Sequence, residues 1–183
     1  MKQKFLLFMF LVMAVPMTMM ADDPVEIDGI YYNLIAKAKI AKVTSNPNKY
    51  TGDIVIPSTV TYGGVIYNVN EIEENSFRDC SSLTSIEIPS SVTSIGIDAF
   101  AMCSGLNSII VALENPVYDS RNNCNAIIET SANSLIRGCK NTIIPSSVTS
   151  IGDYAFSRCS DLTSIDIPDG VTSIGAYAFY DCI

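Results

Sequence analysis

Residues 144–159 read IPSSVTSIGDYAFSRC. The same string returns as IPSSVTSIGIDAFAMC at 88–103 and as IPDGVTSIGAYAFYDC at 167–182, with Ile, Pro, Val, Thr, Ser, Ile, Gly, Ala, Phe and Cys unchanged in all three. Ile144 and Ile167 are 23 residues apart, as are Cys80 and Cys103, and Cys159 and Cys182. A unit of this size cannot bury its apolar side alone, so the copies must stack and share one continuous core. In LTSIDI, residues 162–167, apolar Leu162, Ile165 and Ile167 are set among small polar residues, which predicts a short strand ended by Pro168. Gly175 after VTSI predicts a tight turn, and the six residues after each such glycine predict one helical turn with Ala and Phe facing inward. The inward positions of the copies are Ile88, Val92, Ile95, Phe100 and Cys103; Ile144, Val148, Ile151, Phe156 and Cys159; and Ile167, Val171, Ile174, Phe179 and Cys182.

Working outward, the sequence predicts an α/β repeat solenoid of mostly short parallel strands, one short helical turn per 23-residue coil and a β-hairpin over the first coil. The array of about five coils occupies residues 56–183, preceded by a β-rich capping segment over 22–55. In that segment the runs 30–35 and 38–43 are rich in β-formers, Ser45-Asn46-Pro47-Asn48 marks a turn, and Asp53–Ile56 starts another strand. Tyr31 and Tyr32 fit strand packing or a ligand platform. The first coil carries extra residues around Gly63-Gly64, between β-formers, which predicts a protruding hairpin. Glu73 stands where later coils have glycine.

At the amino terminus Lys2 and Lys4 precede an apolar run, Phe5 to Met20, followed by Ala21 and Asp22-Asp23-Pro24. This order predicts a secretory signal peptide over residues 1–21. The apolar run is shorter than the roughly 20 residues a transmembrane helix needs and is broken by Pro16. Its removal leaves 9 basic and 19 acidic residues. That balance disfavours nucleic acid and anionic membrane surfaces as partners.

The pattern LTSIxIPxxVTSIGxxAFxxCSxL, at 83–106 and again from Leu162, resembles the BspA-type leucine-rich repeats of bacterial surface proteins. The resemblance covers roughly residues 50–183. It implies a secreted or cell-surface protein that adheres to host matrix proteins or to other microbes, with a protein or glycan ligand.

The chain has no His and no Trp. Histidine-based nucleophilic catalysis and histidine-ligated zinc are thereby excluded, and no Cys-x-x-Cys pair offers another metal site. No cofactor or catalytic residue is expected. A glycan hydrolase would have to work with carboxylates alone, and those are scattered over outward positions such as Glu87, Asp98, Asp153 and Asp166. The expected function is non-catalytic binding; a structural spacer within a larger surface protein is the alternative.

The array is interrupted over 115–140, where successive IPSSV strings lie 56 residues apart. Two short strands, 126–129 and 134–137, flank a polar turn at 130–133. Insertions in repeat arrays fall on one face and often carry the partner site. Tyr118, Asp119, Arg121, Asn122 and Asn123 are therefore the candidate contact residues, unless the segment only fills the height of missing repeats. Of the six cysteines, Cys80, Cys103, Cys159 and Cys182 share one repeat position and fit buried free thiols. Cys124 and Cys139 flank the proposed hairpin and are the pair to expect if the chain has a disulfide at all.

Overall fold

A computed structural model describes residues 23–159 and 162–182; the signal sequence expected at 1–21 lies outside them. The described chain contains β1 (Val25–Ile27), β2 (Ile30–Ile35), β3 (Ile40–Val43), β4 (Gly52–Val55), β5 (Thr59–Tyr62), β6 (Val65–Ile72) and β7 (Leu83–Ile88). There follow β8 (Ser94–Ile95), β9 (Ser108–Val111), β10 (Tyr118–Asp119), β11 (Ala126–Glu129), β12 (Ser134–Gly138), β13 (Ser150–Ile151) and β14 (Ser173–Ile174). One 3-10 turn, Arg121–Asn123, lies between β10 and β11.

The strands form three sheets, ordered β1-β2-β3-β6-β5 with β8 also on β6, β4-β7-β9, and β10-β11-β12-β13-β14. Where regular coils follow one another the pairing is parallel: β7 on β9, β6 on β8 and β13 on β14. β1, β2 and β3 form an antiparallel meander, and β3 joins β6 in parallel. Tyr32 in β2 is fully buried, so it packs within the strand layer. The glycine pair of the first coil makes a hairpin between β5 and β6, with φ of 56° at Gly63 and 78° at Gly64. Positive φ at both turn residues matches the twist of the flanking strands.

The helical turn expected in each coil takes another form. After Gly152, the N–H groups of Ala155, Ser157 and Cys159 bond to the carbonyls three residues back, while those of Tyr154, Phe156 and Arg158 donate to Ala176, Ala178 and Tyr180 of the next coil. Asn75, Phe77 and Asp79 donate in the same way to Ile97, Ala99 and Ala101. Tyr154 and Arg158, like Asn75 and Asp79, have positive φ. Alternate amides thus bond within and between coils, and a helix, which keeps its bonds internal, could not stitch the coils together. The repeat Phe side chains stack inside this ladder. The ring centroids of Phe77 and Phe100 lie 5.1 Å apart, as do those of Phe156 and Phe179.

The repeat glycines also serve differently from the expected turn. Gly96, Gly152 and Gly175 are not among the positive-φ residues. A Cβ on Gly96 would strike the Glu74 nitrogen and lie 2.7 Å from its Cα, and one on Gly175 would lie 2.5 Å from the Asp153 nitrogen. These glycines let one coil's backbone lie against the last.

The buried residues form two clusters that meet at β11. Ile127 belongs to the cluster reaching back to Ile30, whereas Ala126 and Ile128 belong to the one containing Phe156 and Ala178. Alternating side chains make this strand the wall between the two cores. Most of the expected inward residues are buried, but Ile167 and Ile174 are 42% and 51% exposed. They sit on the last described coil, with no described coil above them. The strand expected at 162–167 is absent as well, since the preceding coil has a turn at 140–141 and no strand over 142–145 for it to pair with.

Candidate functional site

The five candidate residues of the insertion divide into two groups. Tyr118 is buried and its hydroxyl accepts the Ile95 N–H at 3.2 Å, covering the edge of β8. Asp119 and Arg121 form a two-pronged ion pair, Nε to Oδ1 at 2.7 Å and Nη2 to Oδ2 at 2.6 Å. Thr130 Oγ1 donates to the same carboxylate, and Arg121 Nη1 reaches Asn133 Oδ1 at 2.8 Å and Ser147 Oγ at 3.2 Å. Burial acts to raise the Asp119 pKa, but the hydrogen bonds from Arg121 and Thr130 outweigh it and hold the carboxyl below its usual range. These three side chains are engaged in fastening the insertion to its neighbours. Asn122 and Asn123 are exposed, both with positive φ.

The insertion also shortens a coil. Leu135 pairs with Ile151, and the Gly138 N–H donates to Ala155 as Phe156 does to Ala178 one coil later. Gly138 thus comes three positions after Leu135, where Phe156 comes five after Ile151. Gly138 takes the Phe position because Phe156 fills the space: a Cβ there would strike the Phe156 ring.

Arg137 occupies the gap left by the shortened turn. It is 5% exposed, and its Nη1 donates to the carbonyls of Tyr154 at 3.2 Å and Ser157 at 3.4 Å. The second bond replaces the backbone donation that Arg158 makes to Tyr180 in the regular pair. Its Nε and Nη2 are buried without a hydrogen-bond partner among the described residues. A cavity of about 430 Å³ opens beside it, lined by residues 95–101, by Tyr118, Ile127, Glu129, Ile136 and Arg137, and by residues 152–154. Sequence reasoning missed Arg137 because only the register shows it to stand where two turn residues are missing. Tyr118 is the one expected contact residue that lines the cavity.

A different surface lies on β4-β7-β9. Val55, Glu87 and Ile110 fall in one cross-strand row, all exposed. In the row beside it Asp53 Oδ1 accepts hydrogen bonds from Thr84 Oγ1 at 2.6 Å and Ser85 Oγ at 2.7 Å. These bonds lower the Asp53 pKa. The outer edge of β9 is covered by side chains: Ser120 Oγ accepts the Val111 N–H, and Asn141 Nδ2 donates to the Asn107 carbonyl.

All six cysteines are free, including Cys124 and Cys139, the pair that the sequence singles out for any bridge. Cys139 Sγ instead lies 3.5 Å from the Asn125 carbonyl. The repeat thiols face backbone: Cys103 donates to Phe77 O at 3.0 Å and Cys182 to Phe156 O at 2.9 Å. Burial pushes the Cys103 pKa up to about 12 and that of Cys159 to about 11. A thiol whose folded pKa is raised favours the fold while it is protonated, so stability should decline as pH rises above the ordinary thiol range toward those values. At pH 8 the native protein should react with iodoacetamide slowly and first at Cys182, the partly exposed one, with all six modified only in denaturant. Rapid native labelling of Cys103 or Cys159, followed by mass spectrometry, would contradict this.

Among the described residues no group of three or more His, Cys, Asp or Glu side chains is placed to hold a metal ion. No described helix is long and apolar enough to cross a membrane.

Residues 126–183 match a family model described as "BspA type Leucine rich repeat region (6 copies)". No curated protein matches the chain. A leucine-rich repeat protein from Eubacterium ventriosum has a similar solved structure, with TM-score 0.53 and 19% identity over 82% of this chain and 61% of that one. That likeness concerns the fold alone. A leucine-rich repeat protein from Bacteroides ovatus is 30% identical over 86% of this chain and 33% of its own, with TM-score 0.47. A leucine rich cell surface protein from Faecalibacterium prausnitzii is 20% identical over 88% of this chain and 74% of its own, with TM-score 0.44. The repeated string, the coil-to-coil ladder and the family match together make residues 126–183 a BspA-type leucine-rich repeat region.

Proposed function

We propose that this protein is exported and binds partner proteins at a cell surface without catalysing a reaction on them. The observation that carries this reading is the row Val55, Glu87 and Ile110, two exposed apolar residues flanking a carboxylate on one rigid sheet. Such a row offers apolar area and a charge in fixed register, the mixture on which specific interfaces are built. The residues behind it, Ile54, Ile86 and Ile109, pack inward and hold the row without the entropy cost of ordering a loop on binding. The order of charge, apolar run and small residue over 1–21 supports export. The β1-β2-β3 meander, with Tyr32, Ala41 and Val43 fully buried, supports a cap over the first coil.

The test is saturable binding of the purified protein to immobilised matrix proteins, mucins and bacterial cells by surface plasmon resonance. Binding is expected to weaken about tenfold or more in the double variant Val55→Asp, Ile110→Asp. Both positions face solvent, so the melting temperature should change little. Absence of saturable binding across the panel, or a double variant that binds as the wild type does, would sink the proposal.

A further inference from the structure

In a regular coil the N–H groups two, four and six residues after the glycine position find carbonyls in the coil above. In the coil beginning at Gly96 those groups belong to Asp98, Phe100 and Met102, and none donates to a carbonyl of a following coil among the described residues. The shortened coil provides one rung upward, at Gly138, and leaves the space above the Gly96 coil open as the 430 Å³ cavity. Asp98 and Phe100 both line that cavity. So does Arg137, whose guanidinium keeps two buried donors unpaired. Leaving a charged donor in this condition is costly, and a bound group that accepts its hydrogen bonds removes the cost.

The rest of the lining restricts what that group can be. Ile97, Phe100, Ile127 and Ile136 supply apolar wall, so the ligand has an apolar body. Asp98, Glu129 and Asp153 bring three carboxylates against the one guanidinium. Asp98 is already paired with Arg78 at 2.8 Å, and Asp153 Oδ1 accepts the Ala176 N–H at 2.6 Å. An uncompensated anion is repelled by this set, whereas a molecule with a carboxylate at one end and an ammonium beside it meets both signs. Among the described residues Arg137 bonds neutral carbonyls alone, at 3.2 and 3.4 Å. A carboxylate offers it shorter, charge-assisted bonds once the guanidinium turns toward the cavity that it lines.

We infer that the cavity between the Gly96 coil and the Gly152 coil is a binding site for a zwitterionic α-amino acid with an apolar side chain. Arg137 and the Phe100 N–H take the carboxylate, Glu129 takes the ammonium, and Ile97, Ile127 and Ile136 take the side chain. The site is independent of the surface row proposed above for protein partners.

Isothermal calorimetry with leucine tests the assignment, beside leucine amide, which lacks the carboxylate, and N-acetyl-leucine, which lacks the ammonium. Leucine is expected to bind, each analogue to bind at least about tenfold more weakly, and the Phe100 amide resonance to shift on leucine addition. Arg137→Met keeps the length of the side chain and removes its charge, and should lose binding about tenfold or more. If that variant fails to fold, Ile97→Trp provides the check, because Ile97 is 77% exposed and lines the cavity. That variant should fill the site and abolish binding while leaving the melting temperature near that of the wild type. No leucine binding up to about 10 mM, equal binding of N-acetyl-leucine, or unchanged binding in folded Arg137→Met or Ile97→Trp would each overturn the inference.

Discussion

Replacing Phe77 by alanine is expected to lower stability by about 3 to 5 kcal/mol. The ring is fully buried between Tyr50, at a centroid distance of 4.6 Å, and Phe100, at 5.1 Å. Removing it takes a filled position from the middle of an aromatic column. The backbone at Phe77 is fixed by its donation to Ala99 and by accepting the Cys80 N–H and the Cys103 thiol, so the coils cannot close over the hole. In a chain of this size the loss corresponds to a melting temperature lower by roughly 6 to 20 °C, measurable by circular dichroism. Tyr177→Ala is the control. Tyr177 also stacks, on Tyr154 at 5.3 Å, but it is exposed, and its loss should cost about 1 kcal/mol or less. A Phe77→Ala protein melting within about 2 °C of the wild type would refute the column as a source of stability.

The second large effect is expected at Gly96. The Cβ of Gly96→Ala would fall on the backbone of Glu73 and Glu74, at 2.8 Å from the Glu73 carbonyl carbon and 2.7 Å from the Glu74 Cα. Backbone cannot rotate away as a side chain can, so the two coils must separate and lengthen the bond from Gly96 N–H to Ile72 O. Overpacking of this kind costs about 1 to 3 kcal/mol, occasionally more. Gly63 provides the contrast, because its Cβ would meet nothing within 4 Å while its φ of 56° disfavours most side chains. Asparagine tolerates that backbone region, so Gly63→Asn should be nearly neutral and Gly96→Asn as harmful as Gly96→Ala. Equal melting temperatures for the two Asn variants would show that the glycines do not serve these separate purposes.

The same close approach explains why the first coil departs from the pattern. Glu73 stands at the glycine position, but its coil lies against β3, and the Glu73 N–H bonds to Val43 in that strand. The Glu73 carboxylate is free to accept from Asn33 Nδ2 at 2.6 Å. The glycine is required only where one repeat turn packs on another, a condition that no single copy of the string reveals.

Much of the fold is legible in the sequence because the repeat compares each position with its counterparts. Invariant Ile, Val, Ala, Phe and Cys mark the inside, Gly63-Gly64 marks a hairpin, and the polar run 130–133 between β-formers marks the β11-β12 turn. The expected helical turn fails for an identifiable reason. A six-residue apolar and polar pattern does not distinguish amides that bond within a turn from amides that bond to the next turn, since that choice depends on a neighbour 23 residues away. The arrangement of the polar residues in the insertion was legible only in part. Asp119 and Arg121 have the composition of a recognition surface, but their pairing with each other and with Ser147 is a tertiary fact.

By itself, then, the sequence determined the stacking, the period and the identity of the buried column, because these depend on residue types that recur at fixed intervals. Only the tertiary structure decided how coils of unequal length meet. The register of Leu135 with Ile151 makes one turn two residues short, and that shortfall leaves amides at Asp98 and Phe100 without rungs among the described residues and seats a guanidinium in the gap. The stretch 144–159, repeated most faithfully, thus fixes the scaffold. The cavity arises where the repetition fails, since a stack of equal coils satisfies its own donors and leaves no space between levels.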